Sequence, residues 1–223
     1  MIEFRYLQPA DAEAAADIHI EGQPGTTLTL LGRHFLIEFY RAFYVSRWAE
    51  GIGVFEDDLL VAHAAIAISS AKFFSEFKTR YLWRVAVPVA LSILRQPKIV
   101  KYIVQGWSYA DQTHSPDGEC DVVFLGVRRD YMRHGVGPEL VRYMFGWAGA
   151  IGLKSSNFMI EKRNRPMRWM IGQLHGLYIA HEFEAFGRAM LFYKVPIADN
   201  LADARMPSGQ SHTLSYISVN GKG

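Results

Sequence analysis

The stretch from Leu125 to Leu140 constrains the fold of this chain more than any other. It begins as an apolar strand, continues as a basic loop with two glycines, and ends as the start of a helix. Gly135 and Gly137 allow the backbone to curl closely around a ligand, and the first N–H groups of the following helix point into that curl. Such a loop binds an anion, and phosphate most often needs several N–H donors. The side chains that add positive charge are Arg128, Arg129, Arg133 and His134.

Two other glycine-rich phosphate motifs do not fit this stretch. A nucleotide triphosphatase loop requires Gly-Lys followed by Ser or Thr, whereas Pro138 and Glu139 follow Gly137. A dinucleotide fingerprint requires a third glycine where Leu140 stands, and it follows its strand without an intervening basic segment. Both classes of nucleotide-binding fold are therefore disfavoured.

Composition places the chain among ordinary globular proteins. It has 223 residues, of which 50% are apolar and 21% charged, and its formal charge is +2. A chain of this length and composition can bury a large core. The single cysteine, Cys120, and the absence of a long apolar stretch near Met1 predict a cytoplasmic protein. The uncharged run from Val85 to Leu94 is too short to cross a bilayer, and the mild positive charge does not favour nucleic acid.

The periodicity of apolar residues changes repeatedly along the chain, which predicts a mixed α and β protein. The expected elements are a strand from Ile2 to Leu7, a helix from Pro9 to Ile20, a helix from near Leu31, two antiparallel strands around Asp57-Asp58, a helical segment from Ala71 to Trp107, a strand from Cys120 to Val127, a helix from Gly137 to Ala150, a strand from Asn157 to Glu161, a helix from Pro166 to Leu174 and two strands around Gly187. We expect one domain over residues 1–195 and a loosely ordered tail over residues 196–223.

The helical segment from Ala71 to Trp107 is basic and interrupts the series of strands. Its basic residues are Lys72, Lys78, Arg80, Arg84, Arg95, Lys98 and Lys101. We interpret it as an insertion that caps one end of the sheet with its charges in water; a membrane-surface or partner-binding face is the alternative. Its aromatic residues suit either a pocket wall or the core. They are Phe73, Phe74, Tyr81, Trp83 and Trp107.

The glycine loop resembles motif A of the GNAT superfamily of acyl-CoA N-acyltransferases, whose pattern is Gln or Arg, two residues, Gly, one residue, then Gly or Ala. Gly135 and Gly137 match the glycines, Met132 replaces the first residue, and Arg133 stands where a second glycine is frequent. The order of elements over residues 1–195 is also similar to the GNAT order. With the insertion and the stretch 31–36, it resembles a poorly characterised bacterial subgroup. The resemblance implies an α+β fold whose central, mostly antiparallel sheet is flanked by helices.

The resemblance also implies that acetyl-CoA is the co-substrate and that its pyrophosphate binds from Met132 to Pro138. In this family the strand before motif A separates from its neighbour, and the pantetheine arm inserts between them. We expect the separation at Gly126, because a glycine in an apolar strand often marks a bulge or a close backbone approach, although packing against a bulky neighbour is the alternative. The thioester is then expected beside Phe124, Leu125 and Val127. The implied cofactor-binding residues are Leu125, Gly126, Val127, Met132, Arg133, His134, Gly135, Val136, Gly137, Pro138 and Asn164.

The implied reaction transfers an acetyl group to a primary amine of a small molecule by direct attack in a ternary complex. The amine must lose a proton, so a base is required. Glu119 and Asp121 lie on the same parity of their strand as Val123, Leu125 and Val127, and an aspartate is unusual in so apolar a strand. We therefore prefer Asp121 as the base, with a structural, salt-bridged aspartate as the alternative. The next candidates are Glu21 and His19.

The general acid is harder to assign. In the family it is a tyrosine in the helix after the fifth strand, within a pattern that starts at an asparagine. Asn164 matches that start, but the tyrosine position falls on Ile171 or Gly172. Tyr178 is the nearest substitute, and water is the alternative. Asn164 itself fits a pantetheine contact or, better, a helix cap.

Three further assignments complete the prediction. Cys120 has no evident activating partner and is interpreted as an apolar filler rather than an acyl carrier. The eight histidines show no metal-ligand spacing, so no metal is expected. The missing tyrosine and the basic insertion leave a non-catalytic acyl-CoA-binding or membrane-surface module as the alternative function, and a homodimer stays open.

Overall fold

The structure, a computed structural model, describes residues 1–101, 116–185 and 187–214. Seven strands form one sheet in the order β1-β2-β3-β4-β5-β7-β6. They are β1 (Ile2–Tyr6), β2 (Ala49–Glu56), β3 (Leu59–Ala67), β4 (Glu119–Val127), β5 (Ser155–Glu161), β6 (Tyr178–Ala185) and β7 (Arg188–Pro196). Among these strands only β4 and β5 pair in parallel. The expected α+β fold with a mostly antiparallel sheet is confirmed.

Helices cover both faces of the sheet. They are α1 (Ala12–Gly22), α2 (Thr27–Leu30), α3 (Arg33–Phe43), α4 (Ser70–Arg80), α5 (Leu82–Arg95), α6 (Val136–Ala150) and α7 (Arg165–Ile171). Helices α1, α3, α4 and α5 contribute to one buried cluster, and α6 and α7 contribute to the other. Within the described ranges the expected elements are present, with shifts of a few residues at their ends. None of the helices in the described ranges is long and apolar enough to cross a bilayer.

The insertion between β3 and β4 packs on α3. Phe73 lies 5.4 Å from Phe39, ring centre to ring centre, and Phe77 lies 6.0 Å from Phe35. The aromatic side chains at the start of the insertion are therefore core, which is one of the two roles expected for them. Trp83 is the exception, with 71% of its surface exposed. The part of the expected insertion from residue 102 onward, with Trp107, lies outside the described residues.

A buried polar cluster around Glu50 in β2 holds the chain beyond β7. The Glu50 carboxylate has no exposed surface and accepts hydrogen bonds from Ser211 Oγ at 2.5 Å and from Thr213 Oγ1 at 2.7 Å. Its Oε1 lies 3.0 Å from Nδ1 of His212. Trp147 of α6 donates to Thr213 at 3.0 Å. The described part of the tail is thus packed against the sheet, which differs from the expected loose order; residues 215–223 lie outside the described ranges.

The ion pair of His212 should stabilise the fold most at acidic pH. Burial by itself lowers the pKa of His212, but the Glu50 carboxylate more than offsets this and raises that pKa above its usual value. A raised pKa gives stabilisation that is complete below about pH 6.5 and is lost as the pH rises through the folded-state pKa. Replacement His212→Gln should cost about 2 kcal/mol of unfolding free energy at about pH 6 and clearly less at about pH 9, as measured by denaturant unfolding.

The difference between wild type and variant is the informative quantity, because two other histidines act in the opposite sense. Burial lowers the pKa of His19 to about 4 and that of His63 to about 3. The contribution of these two neutral histidines to the stability of the fold is complete above about pH 6.5 and is lost as the pH falls toward their lowered pKa values. The exposed His175 offers a matched control, since His175→Gln should change stability little at either pH. A cost at His212 that does not vary with pH would contradict the ion pair.

Candidate active site

β4 and β5 pair over only their first halves. The parallel pairing joins 119–122 to 155–158 and ends there, whereas β4 stays paired with β3 up to Val127 and β5 stays paired with β7 up to Glu161. The two strands therefore diverge beyond Val122. The opening extends along five residues of β4, about 17 Å, to the loop that precedes α6. Along this length the edge of β4 that faces β5 has no strand partner in the described chain.

A β-bulge at Val123 marks the point of divergence. Its neighbours Val122 and Phe124 pair with adjacent residues of β3, which leaves Val123 as the extra residue. The separation expected at Gly126 therefore begins three residues earlier along the strand. Gly126 serves packing: a Cβ at that position would lie 2.4 Å from Cζ of Phe124 and 3.4 Å from Cγ2 of Ile18.

The bulge also changes which side chains share a face of β4. Val123 and Phe124 both pack with α1 and α3, whereas Leu125 and Val127 pack in the cluster on the opposite face. A bulge places two consecutive residues opposite one residue of the partner strand, so alternation is broken there. The expectation that Asp121 shares a face with Val123, Leu125 and Val127 therefore holds for Val123 and was wrong for Leu125 and Val127. Its carboxylate lies instead on the face of Phe124.

The loop before α6 presents five consecutive backbone N–H groups, those of residues 133–137, that donate to no acceptor in the described chain. Arg133 has φ +66° and Gly135 has φ +78°, both left-handed. Such a turn makes consecutive N–H groups converge on a concave surface. Pro138 has no N–H, and the N–H of Glu139 already bonds to the carbonyl of Gly135 at 3.2 Å. We call residues 133–137 the anion loop.

Arg133 takes the left-handed conformation at the position where the resembled pattern often has glycine. For a residue with a Cβ this conformation costs about 1 kcal/mol. Arg133 and His134 are exposed and make no ion pair within the described residues. The other two basic residues of this region are paired: Arg128 with Asp130 at 3.1 Å and Arg129 with Glu21 at 3.5 Å. Unpaired positive charge at the anion loop is therefore smaller than the sequence suggested.

A polar cluster lies at the closed end of the opening, where β4 and β5 still pair. Nδ2 of Asn157 lies 3.0 Å from Oε2 of Glu119 and 3.1 Å from Oδ1 of Asp121, so this amide bridges the two carboxylates. Lys194 of β7 forms an ion pair with Glu119 at 2.8 Å. The hydroxyl of Ser70, at the start of α4, donates to Oδ2 of Asp121 at 2.7 Å. Glu119 is thus held by a cation, and Asp121 by a hydroxyl and an amide.

His19 lies on the same face as the bulge. Its ring stacks on Phe124 with the ring centres 4.4 Å apart, and its Nδ1 lies 2.6 Å from the hydroxyl of Tyr40. Because burial lowers the pKa of His19 to about 4, the ring is neutral near pH 7. Its Nε2 is buried and has no hydrogen-bond partner among the residues that the structure describes. Glu21, the other candidate from α1, instead accepts from the backbone N–H of Arg129 at 3.3 Å.

The remaining candidate residues do not meet at the opening. Tyr178 begins β6 at the edge of the sheet, is 53% exposed, and lies three strand spacings, about 14 Å, from β4. Helix α7 contains no tyrosine. Asn164 caps α7 by accepting from the N–H of Met167 at 3.2 Å, so the capping role is confirmed. Burial raises the pKa of the Cys120 thiol to about 12, which leaves no thiolate near pH 7.

A basic pocket at the end of β5 was not predicted from the sequence. It has a volume of about 390 Å³, and its lining residues are Glu161, Lys162, Arg163, Arg165, Arg168 and Ala189. It lies beside α7, which contacts the start of α6: a Cβ on Gly137 would lie 3.0 Å from Sδ of Met170. The run of basic residues from Lys162 to Arg168 was the available signal. Within the described ranges, no group of three or more His, Cys, Asp or Glu side chains could hold a metal ion.

Comparison with known proteins identifies the fold. No protein-family model and no curated protein matches the chain. Solved structures do match, at low sequence identity. The ribosomal-protein-S18-alanine N-acetyltransferase from Escherichia coli superposes with a TM-score of 0.56 at 11% identity, over 94% of this chain and 97% of that one.

Two further structures agree with the first. A GNAT-family acetyltransferase from Streptococcus pneumoniae gives a TM-score of 0.55 at 14% identity, over 88% of this chain and 99% of that one. A Salmonella typhimurium protein, whose structure holds its cofactor acetyl-CoA, gives a TM-score of 0.56 at 11% identity, over 95% of this chain and 99% of that one. The chain therefore has the fold of the GNAT acetyltransferases.

Proposed function

We propose that the protein is an N-acetyltransferase that moves an acetyl group from acetyl-CoA to a primary amine of a small molecule. The observation that carries this proposal is the anion loop, with its five unpaired N–H groups, at the open end of the gap between β4 and β5. A pyrophosphate accepts several N–H groups at once, and an extended pantetheine arm suits the free edge of β4. Acetyl-CoA is the cofactor of the Salmonella typhimurium protein that shares the fold.

The proposed cofactor contacts follow the direction of the opening. The pyrophosphate is held by the anion loop, and the arm runs along Val127, Gly126 and Leu125 toward the bulge, which brings the thioester to the polar cluster. The basic pocket beside α7 is suited to a further phosphate of the same molecule, because Arg165 is exposed there and makes no ion pair with a described residue. Met132 and Pro138 flank the loop, and Asn164 acts through the cap of α7.

The proposed reaction is direct attack without an acyl-enzyme. The amine nitrogen attacks the thioester carbonyl carbon, the new C–N bond forms, and the C–S bond breaks. Asp121 takes the proton lost by the amine, directly or through water. Since α7 lacks a tyrosine and Tyr178 stands at the sheet edge, water protonates the departing thiolate. A buried Cys120 thiol with a pKa near 12 supports attack without an acyl-cysteine.

A second candidate function is a non-catalytic acyl-CoA-binding module. Two observations favour it: α7 has no tyrosine, and both carboxylates of the polar cluster already accept hydrogen bonds or ion pairs. Such a protein would use the same anion loop and the same opening. Binding of acetyl-CoA therefore does not separate the two functions, and turnover does.

Calorimetry followed by a turnover assay tests the proposal. We expect acetyl-CoA to bind, and one or more members of an amine panel, covering amino sugars, amino acid derivatives, polyamines and peptides, to stimulate release of free CoA thiol. Failure of both acetyl-CoA and CoA to bind at about 1 mM, where binding is worth only about 4 kcal/mol, would contradict the cofactor assignment. Tight binding without thiol release for any amine would favour the binding module.

A further inference from the structure

Helix α5 is apolar on both of its faces. Its inner side chains Val85, Val89 and Ile93 pack in the cluster with α3. Its outer side chains are largely exposed: Trp83 71%, Val87 68%, Leu91 46% and Leu94 77%. We call these four residues the outer face of α5. A helix that is apolar all round ordinarily lies in a core or in contact with lipid, and this one is covered on one side only within the described structure.

The outer face of α5 is uncharged along its length and basic at both ends. No charged residue lies between Arg84 and Arg95. Arg80 and Arg84 stand at one end, paired with Glu76 at 3.0 Å and with Glu38 at 3.2 Å, and Arg95 stands at the other with Lys98 and Lys101 just beyond it. The last three are exposed and make no ion pair with a described residue.

The charge of this region differs from that of the rest of the chain. Residues 70–101 contain seven basic side chains and one acidic side chain, Glu76, which is bound by Ser46 and Arg80. The formal charge of the whole chain is only +2, so the remainder is net negative. Positive charge is therefore concentrated around a helix that exposes a continuous apolar face in the described structure, which is the pattern of a helix that lies on an anionic lipid surface.

We propose that the outer face of α5 binds the surface of an anionic phospholipid bilayer. The helix lies in the plane of the interface, since its 14 residues cannot cross the bilayer. Trp83, Val87 and Leu91 enter the boundary between head groups and acyl chains, and the cations Arg95, Lys98 and Lys101 meet lipid phosphates. The bound membrane lies on the side of α5 away from α3.

Self-association through the same face is disfavoured by charge. A second copy docked in either direction offers no anionic partner to Arg95, Lys98 and Lys101, because it places against them either the same three cations or the basic pair Arg80 and Arg84. Like charges opposed across an interface weaken association. An anionic bilayer instead presents negative charge to these three cations.

Vesicle co-sedimentation of the full-length protein tests the proposal. We expect binding to vesicles of phosphatidylcholine with phosphatidylglycerol, and at least about tenfold weaker binding to phosphatidylcholine alone. The triple variant Trp83→Ser, Val87→Ser and Leu91→Ser should lose at least about tenfold in affinity for the anionic vesicles. These side chains are exposed, so the thermal unfolding midpoint should stay close to that of the wild type.

Two controls make the outcome decisive. Trp169→Ser removes a tryptophan that is 70% exposed on α7, and vesicle binding should be unchanged. Neutralising Arg95, Lys98 and Lys101 with glutamine should weaken binding to anionic vesicles and leave binding to phosphatidylcholine unchanged. The proposal is overturned if the wild-type protein binds neither vesicle, or if sedimentation shows a dimer that the triple variant dissociates. Neither result would affect the acetyl-CoA proposal, which is measured without lipid.

Discussion

Replacement of Gly135 by valine should lower the affinity for acetyl-CoA roughly hundredfold while leaving the protein folded. Gly135 has φ +78°, and a Cβ there would meet no atom within 4 Å, so the cost arises from backbone strain and not from a clash. A β-branched residue is especially unsuited to this conformation. The loop would relax away from it, and the N–H groups of 133–137 would no longer converge. Losing two charge-assisted hydrogen bonds costs about 3 kcal/mol, or roughly two powers of ten in Kd.

The chain provides a matched control at the other end of the same helix. Gly152 follows α6 with φ +76°, and a Cβ there would also meet nothing within 4 Å. Gly152→Val should therefore cause a similar loss of stability with no loss of acetyl-CoA affinity, as measured by calorimetry. Equal losses of affinity in both variants would indicate a general effect of unfolding. Unchanged affinity in Gly135→Val would show that the anion loop is not the pyrophosphate site.

The anion loop and the order of elements were predictable because both depend on neighbours along the chain. A left-handed turn, an apolar strand before it and a helix start after it are each encoded within a few residues. The same holds for the cap at Asn164, whose partner Met167 is three residues away. Features that depend only on neighbouring residues can therefore be predicted without knowing how the rest of the chain folds.

The arrangement around Asp121 was not predictable, because it depends on strand pairing. The bulge at Val123 exists only relative to β3, so the sequence of β4 alone suggests unbroken alternation. Asn157 and Lys194 reach the carboxylates from two other strands. A hydrophobicity pattern records which face a strand buries, and it carries no information about which polar side chains meet across a sheet.

The packing of the tail was also not predictable from the sequence, because its partners are still farther away along the chain. Ser211 and Thr213 read as surface residues of a polar segment, yet both donate to Glu50, more than 160 positions earlier. Their burial follows from the need to satisfy a carboxylate that β2 places in the interior. Glu50 itself indicated that such partners must exist, since a glutamate within an otherwise buried strand requires hydrogen-bond donors.

Asparagine in place of Asp121 should lower turnover on the order of a hundredfold at neutral pH and leave acetyl-CoA affinity unchanged. Asparagine has the shape of aspartate and can still accept the hydrogen bond from Ser70, but it cannot take a proton. General-base assistance typically contributes about this factor. The loss should shrink as the pH rises, because more of the amine is then already deprotonated. The measurement is kcat against pH for both proteins, with acetyl-CoA binding followed by calorimetry.

Glu119→Gln separates chemistry from architecture, because Glu119 shares Asn157 with Asp121 and is held by Lys194. We expect turnover to fall less than about tenfold in this variant, with a ratio to wild type that does not change with pH. Equal and pH-independent losses in both variants would mean that the polar cluster only holds β4 to β5. Wild-type turnover in Asp121→Asn would place the base elsewhere. His19 would then be the next candidate, because its ring is neutral near pH 7, it lies on the face of the bulge, and its Nε2 has no partner in the described part of the chain.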